Sequence, residues 1–298
     1  MKVVVSGGSG FLGTALTNAL VAKGYSVVIL TRNPQKGSPI QNDVSYIHWD
    51  DAHKAVDGSL AVVNLAGESL AGRRWTESLK KKIISSRVET TSAVVKAITD
   101  TPADRRPKVL VSASAVGYYG DSGDKILTES TPAGDDFLAG VCRLWESHAH
   151  AAPKGVRVVT PRIGVVLHPD GGALERMLLP FKLGLGGPLG SGNQYFPWIH
   201  LEDMIRIFIE SIENETIEGA VNSSAPNIVT MSEFASAMGK ALSRPTLFKV
   251  PEFALNLALG ESSIVVTASQ RMVPEKLLKA GFEWKFQYVD DALRDLLS

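Results

Sequence analysis

The chain has 298 residues, 44% hydrophobic and 21% charged, the proportions of a folded globular protein rather than a disordered one. Lys+Arg and Asp+Glu each number 31, so the formal net charge is +0 and the chain as a whole offers no field to nucleic acid or to an anionic membrane. A single cysteine, Cys142, excludes an internal disulfide and a multi-cysteine zinc site and favours a reducing compartment.

Residues 2–6 already read as a strand, which leaves no room for a charged leader. Apolar runs such as Leu60 to Ala66 fall far short of the ~20 residues that span a bilayer. The expected location is the cytoplasm. With no bulk charge to oppose self-association, a homodimer stays open.

Taken in chain order, the first half alternates strand and helix. Val3-Val4-Val5 suits a strand buried on both faces. From Phe11 to Lys23 the residues Leu12, Ala15, Leu16, Ala19 and Leu20 recur at helical spacing, and Gly24 closes the helix. Ser26 to Thr31 predicts a second strand, Val44 to Trp49 a weaker third and Leu60 to Ala66 a fourth. A long helix then runs through Leu79, Ile83, Ile84, Val88, Val95 and Ile98. Val109 to Ser112 is the fifth strand and Val156 to Thr160 the sixth, after a helix around residues 136–152. Strands separated by helices imply crossover connections and an α/β fold with a doubly wound parallel sheet of Rossmann type.

The second half is different. Gly171 to Gly192 is rich in Gly and Pro, and Glu202 to Asn214 reads as a helix. Short strand signals at Ala220 to Asn222, Thr246 to Val250 and Phe282 to Phe286 mix with helices near Ser232 to Leu242, Thr267 to Lys279 and Val289 to Leu297. This predicts a dinucleotide-binding portion over residues 1–166, also receiving part of 195–225, and a smaller α/β substrate lobe over 167–298.

The segment Ser6-Gly7-Gly8-Ser9-Gly10-Phe11-Leu12-Gly13 sits where the first strand turns into the first helix. Gly8, Gly10 and Gly13 satisfy G-x-G-x-x-G, and Gly7, Gly10 and Gly13 satisfy G-x-x-G-x-x-G. Glycine is required there for a tight turn, for close backbone approach to a pyrophosphate and for helix–strand packing. The helix N-terminus adds free N–H groups and a positive dipole end. A Walker A loop is excluded, because Thr14 follows Gly13 where that loop needs Lys. The second strand ends Ile29-Leu30-Thr31-Arg32, without the carboxylate that usually holds the ribose 2′-hydroxyl of NAD. Thr31 can hydrogen-bond and Arg32 can pair with a 2′-phosphate, so the expected cofactor is NADP(H) rather than NAD(H).

On these residues the chain resembles the extended, atypical short-chain dehydrogenase/reductase superfamily of NAD-dependent epimerase/dehydratase type. It is most similar to the sugar-nucleotide-epimerase-like, cell-division-inhibitor-like branch. Arg162-Ile163-Gly164-Val165-Val166-Leu167, Leu179 to Pro188, Trp198-Ile199-His200 with Asp203, and Gly281-Phe282-Glu283-Trp284 carry the likeness to the branch. The resemblance implies a Rossmann domain with a small C-terminal lobe and the cofactor between them. It implies cofactor contacts at Leu65, Ala66 and Gly67 after the fourth strand, and at Gly164 to Val166 near the nicotinamide. Arg87 stands where the family has a cofactor-facing Asn.

The resemblance also exposes a departure. Family enzymes use a Ser or Thr after the fifth strand and a Tyr-x-x-x-Lys on the following helix, in which the Lys lowers the pKa of the Tyr that moves the proton. Ser114 matches the first element. Anchored on Glu146, the Tyr position falls on Leu138 and the Lys position on Cys142. Tyr118 and Tyr119 are substitute proton donors by position, ahead of Asp135, Asp136 and Arg143. Two readings follow: an atypical NADP(H)-dependent oxidoreductase or epimerase-like enzyme acting on a small polar substrate through Ser114 and Tyr118, or an NADP(H)-binding regulatory protein without turnover.

Remaining signals are weaker. Arg73-Arg74-Trp75 suggests an anion near the cleft, but two arginines in a neutral chain do not make a nucleic-acid surface. The histidines lack metal-ligand spacing, and His200 with Asp203 reads as the start of the 202–214 helix. The Gly184 to Gly192 run suits a cover over the cleft or an ordinary surface loop.

Overall fold

Val3, Val4 and Val5 have no exposed surface, and the sheet is built outward from them. The computed structural model describes residues 1–34, 43–70 and 74–297. Strand β1 (Lys2–Ser6) leads through the glycine turn into α1 (Phe11–Ala22), followed by β2 (Ser26–Thr31), β3 (Val44–His48), α2 (Ala52–Val56), β4 (Ala61–Asn64) and α3 (Glu77–Asp100). Next come β5 (Val109–Ser112), β6 (Ser114–Ala115), β7 (Ile126–Leu127), α4 (Phe137–Ala149), β8 (Arg157–Ile163) and β9 (Val165–His168). The second half comprises α5 (Gly172–Lys182), β10 (Tyr195–Phe196), β11 (Trp198–His200), α6 (Leu201–Glu213), β12 (Gly219–Ser223) and β13 (Val229–Thr230). It ends with α7 (Met231–Leu242), α8 (Glu252–Leu259), α9 (Ile264–Thr267), β14 (Arg271–Met272), α10 (Glu275–Lys279) and α11 (Val289–Leu297).

The main sheet runs β3-β2-β1-β4-β5-β8-β12 with β6 paired to β8, and its pairings are parallel. This is the Rossmann-type order expected from alternating strands and helices. Because successive side chains leave a strand on opposite faces, Val3 and Val5 enter one core and Val4 another. The first core is closed by Leu16 and Leu20 of α1 with Ile205, Phe208 and Ile212 of α6; the second is closed by Val56 of α2 with Val94 and Ile98 of α3. A further core joins Leu174, Leu178 and Phe181 of α5 to Phe234 and Met238 of α7 and Leu293 of α11. The second half therefore both packs on the sheet through α6 and adds β12 to its edge. Among the described residues no helix is long and apolar enough to cross a membrane.

Four segments differ from the sequence expectation, each for a local reason. Within the Gly/Pro-rich stretch the apolar residues Leu174, Leu178 and Phe181 recur on one face, and α5 forms despite Pro180 inside it. Thr246 to Val250 is not a strand; only Val250 makes a single bridge, to Leu189. The predicted helix over Thr267 to Lys279 is broken into β14 and α10 around Pro274, which lacks the N–H a continuous helix needs. Phe282 to Phe286 has a strand's composition but no strand partner. Its amides are taken instead by Asp203, a fully buried carboxylate that accepts from Lys285 N at 2.8 Å and Phe286 N at 2.9 Å. The Trp284 indole N–H donates to the Ser224 carbonyl at 3.0 Å, completing the attachment of this segment.

Asp203 thus ties the C-terminal segment to the first turn of α6. Asp203→Ala leaves two amides without an acceptor and should lower stability by about 2–4 kcal/mol, read from the urea midpoint; a loss below about 0.5 kcal/mol contradicts this role.

Candidate functional site

The site is assembled by strand register at the C-terminal edge of the sheet. Ser6 of β1 pairs with Leu30 of β2 and with Asn64 of β4, so Gly7 and Gly8 emerge between Thr31-Arg32 on one side and Leu65-Ala66 on the other. Each glycine there has a distinct cause. Gly7 has φ +71°, and a Cβ on it would lie 2.8 Å from the Leu65 carbonyl carbon. A Cβ on Gly13 would collide with the Gly7 carbonyl oxygen, which already accepts from Gly10 N at 3.0 Å. Gly8 lies against the Ile29 side chain. Helix α1 begins at Gly10 with no side-chain cap, and Ser9 and Gly10 are exposed, so its first amides face solvent at the crevice. Phe11 is half-buried and fills the space over Gly171, while Leu12 packs against the first core.

A buried polar chain stiffens this edge. Ser6 donates to Asn64 Oδ1 at 2.6 Å, and Asn64 Nδ2 donates to Thr91 at 2.9 Å and Ser112 at 3.2 Å. Thr31 Oγ1 accepts from Asn33 N at 3.2 Å, and Arg32 is exposed with no carboxylate partner among the described residues.

Arg87, on α3, is buried beside this edge. Its guanidinium packs against the backbone of Gly67 and over the Trp145 ring, with its carbon 5.0 Å from the ring centroid, and donates to the Ile83 carbonyl at 3.0 Å. Burial lowers its pKa from the usual arginine value, and the charge of Glu68 offsets part of that shift.

Beyond Arg87 lies a cavity of about 180 Å³, bounded by Ala115 of β6 and the Val116 and Gly117 that follow it, by Leu138, Val141, Cys142 and Trp145 of α4, and by Gly164 and Val165. Its far wall is the segment Gln194 to Pro197, with Val265 and Val266 of α9. Gly164 permits this closure: a Cβ there would strike the Pro197 carbonyl, and its amide donates to the Ser223 carbonyl at 3.0 Å. Val166 is buried behind it. The walls are mainly apolar; Arg87, Asp136, Gln194, Tyr195 and Gln270 are the polar side chains with the greatest hydrogen-bonding capacity. The Trp145 indole N–H has no acceptor among the described residues.

Leu138 and Cys142, at the positions that the family resemblance gives to Tyr and Lys, both line this cavity. Ser114 does not. Its hydroxyl donates to Glu146 Oε1 at 2.7 Å, and Arg162 clamps the same carboxylate with Nε and one terminal nitrogen, both at 2.9 Å. Burial alone would lower the Arg162 pKa, but hydrogen bonding and charge from Glu146 outweigh it and raise it. Arg162 also donates to the Tyr119 hydroxyl at 2.9 Å, and Tyr119 donates to Asn222 Oδ1 at 2.6 Å. Burial pushes the Tyr119 phenol up to about 12. The Tyr118 ring lies under the Arg162 guanidinium, 3.4 Å from its carbon, and is not part of the cavity wall. The tyrosine pair is thus built around a buried ion pair rather than facing the cavity.

Asp136 lines the cavity while its Oδ1 caps α4 by accepting from Ala139 N at 2.8 Å. Tyr195 is a wall residue that sequence reasoning misses, because its place depends on the β10–β13 pairing and the close approach at Gly164. Of the basic triplet, Arg73 lies outside the described residues. Arg74 donates to the Leu257 carbonyl at 2.6 Å, and Trp75 packs on Phe137. His200 caps α6 by accepting from Glu202 N at 3.0 Å. No metal-binding cluster occurs among the described residues.

Comparison with known proteins places this geometry. Residues 3–222 match the profile of the NAD dependent epimerase/dehydratase family, and residues 250–296 match a domain of unknown function, DUF1731. The chain is 44% identical to the epimerase family protein SDR39U1 homolog, chloroplastic, of Arabidopsis thaliana, over 100% of this chain and 87% of that one. It is 39% identical to human epimerase family protein SDR39U1 over the full length of both. A crystal structure of human SDR39U1 (isoform 2) with NADPH superposes with a TM-score of 0.92 at 38% identity, covering 100% of this chain and 99% of that one.

Two outcomes follow from the site. Arg162→Met leaves Glu146 buried without its cation and should cost about 3–5 kcal/mol in chemical unfolding, against about 1 kcal/mol for Ser114→Ala. Burial and the charge of Glu146 push the Cys142 thiol up to about 12, so at pH 8 it is a neutral thiol. Ellman's reagent should label Cys142 only after unfolding, and rapid labelling of the native protein contradicts that environment.

Proposed function

The chain belongs to the NAD-dependent epimerase/dehydratase family, and on that premise we propose that it is an atypical oxidoreductase. In this reading it binds NADP(H) along the C-terminal edge of its sheet and acts on a ligand held between Leu138 and Gly164. The register of β1, β2 and β4 carries this reading, because it sets the glycine turn, Arg32 and the Leu65–Gly67 backbone around one crevice.

The residues present fit a dinucleotide. The turn at Gly7 and Gly13 excludes a Cβ, the α1 N-terminus has no side-chain cap, and Arg32 beside it is exposed without a carboxylate partner among the described residues. Gly7, Ser9, Gly10, Phe11, Leu12 and Gly13 would hold the pyrophosphate, with Thr31 and Arg32 on the 2′-phosphate. Leu65, Ala66, Gly67 and Arg87 would line the ribose and phosphate side, and Gly164 and Val166 the nicotinamide end. The NADPH bound to the human relative supports the choice of cofactor.

NADP(H) supplies a hydride donor or acceptor when bound. The chain's own residues shape what surrounds it. Val116, Leu138, Val141 and Trp145 exclude water from the cavity, and Arg87 provides a fixed positive charge at its edge. Asp136 and Tyr195 contribute a carboxyl and a phenol to the wall, and in this reading Tyr195 takes the role that position along the chain gives to Tyr118. Ser114 is a positioning residue, since it fixes Glu146 on α4.

Leu138 and Cys142 favour a second reading, NADP(H) binding without turnover. The two part on single-turnover oxidation of bound NADPH across a panel of carbonyl and quinone acceptors: oxidation supports the enzyme, and its absence throughout supports the binder.

The cofactor reading is tested by fluorescence titration. NADPH should bind at least about tenfold more tightly than NADH, and Arg32→Ala should remove that preference while sparing NADH. Gly13→Ala should abolish binding of both. Equal dissociation constants for the two cofactors in the wild type overturn the assignment to NADP(H).

A further inference from the structure

The cavity beside Leu138 and Cys142 abuts a second, larger one. Leu70, Val265 and Val266 line both, so the two chambers share a wall. The outer chamber, of about 390 Å³, lies between α5 and the loop after it, bounded by Met177, Phe181, Leu185 and Val250. That volume falls in the range of about 300–1,000 Å³ that accommodates small organic ligands.

The chemistry of the outer walls is one-sided. Among the described residues its lining contains a single charged side chain, Arg176, which is exposed at the mouth and has no carboxylate partner. The rest is almost wholly aliphatic or aromatic. Gly186 keeps the chamber's edge tight, because the Phe181 ring occupies the space a Cβ would need. The same helix and loop expose Leu179, Leu183 and Leu185 to solvent beside it, although large aliphatic side chains are ordinarily covered.

A sugar nucleotide does not suit such walls. Its hydroxyls and diphosphate would each lose water without gaining a donor or acceptor, at a cost for every unpaired group. An aliphatic body loses nothing on entering and removes apolar surface from water.

We propose that the paired chambers bind an elongated apolar acid, its hydrocarbon body in the outer chamber and its anionic end on Arg176, with the far end reaching the cavity beside Leu138. This departs from the small polar substrate that the family resemblance implies. It rests on the reading of the inner cavity as the reaction chamber and names the class of ligand that chamber receives. Val265 stands at the junction of the chambers and is 42% exposed, so it can be altered without opening a core.

The test is isothermal titration calorimetry on the full chain, with and without saturating NADPH, using decanoate, decan-1-ol and UDP-glucose as probes. Decanoate should bind, decan-1-ol should bind about tenfold more weakly, and UDP-glucose should give no binding heat. Arg176→Gln should bring decanoate to the affinity of decan-1-ol. Val265→Asp should abolish binding of both apolar probes, and Leu185→Asp, on the exposed rim, serves the same purpose if that variant does not fold. Binding of UDP-glucose in preference to decanoate overturns the proposal, as does decanoate binding unaffected by Arg176→Gln and by the aspartate variants. Titration of NADPH into the same variants separates the two claims. Unchanged NADPH affinity with no decanoate binding removes the apolar ligand alone, whereas decanoate binding without NADPH affinity removes the cofactor reading alone.

Discussion

The bidentate ion pair between Arg162 and Glu146 determines what kind of site this protein has. Arg162 projects from β8 and Glu146 from α4, and both are almost fully buried. A guanidinium and a carboxylate taken out of water this way must satisfy each other, and breaking either side costs far more than the pair returns. The surroundings are arranged accordingly. Ser114 is spent on Glu146, Tyr119 bridges Arg162 to Asn222, and Tyr118 lies flat beneath the guanidinium. The Ser114 and Tyr119 hydroxyls are therefore engaged in the network that holds α4 against the sheet, while the Tyr118 ring stacks on Arg162. What α4 turns toward the cavity is Leu138, Val141, Cys142 and Trp145.

That exchange explains how an intact cofactor crevice can sit beside an apolar chamber. The crevice depends on backbone: glycine at 7 and 13, free amides at the start of α1, and the register that sets β2 and β4 on either side of β1. The chamber depends on side chains of α4 and on the 194–197 segment drawn over Gly164. The two rest largely on different residues. The cradle and the chamber meet at Arg87 and Gly164, which belong to both.

The parts legible in sequence are those set by short-range pattern. Val3-Val4-Val5, Ser26 to Thr31 and Val109 to Ser112 are β-branched runs with turn residues near their ends, and the Gly7–Gly13 turn carries its own steric reason. The apolar spacing of α3 and α11 is equally direct. The rest depends on contacts between distant segments. Phe282 to Phe286 has strand residues, but Asp203 takes its amides. Residues 171–182 look like a loop by glycine and proline, but a buried face of Leu174, Leu178 and Phe181 makes them a helix. Tyr195 reaches the cavity through the β10–β13 pair and the close approach at Gly164, neither of which leaves a local signal. Ser114 is correctly located after the fifth strand, yet the direction of its hydroxyl is set by Glu146, an acid on another element.

In the proposed reading, one crevice at the C-terminal edge of the sheet receives NADP(H) and opens onto the cavity beside Leu138. Hydrogen–deuterium exchange with and without NADPH tests it most directly, since it reads the backbone amides that form the cradle. Exchange should slow at Gly7 to Leu12, at Leu65 to Gly67 and at Gly164 to Val166, with the amides around Tyr119 and Arg162 unchanged. Absence of protection at the glycine turn, or protection confined to other parts of the chain, would contradict it.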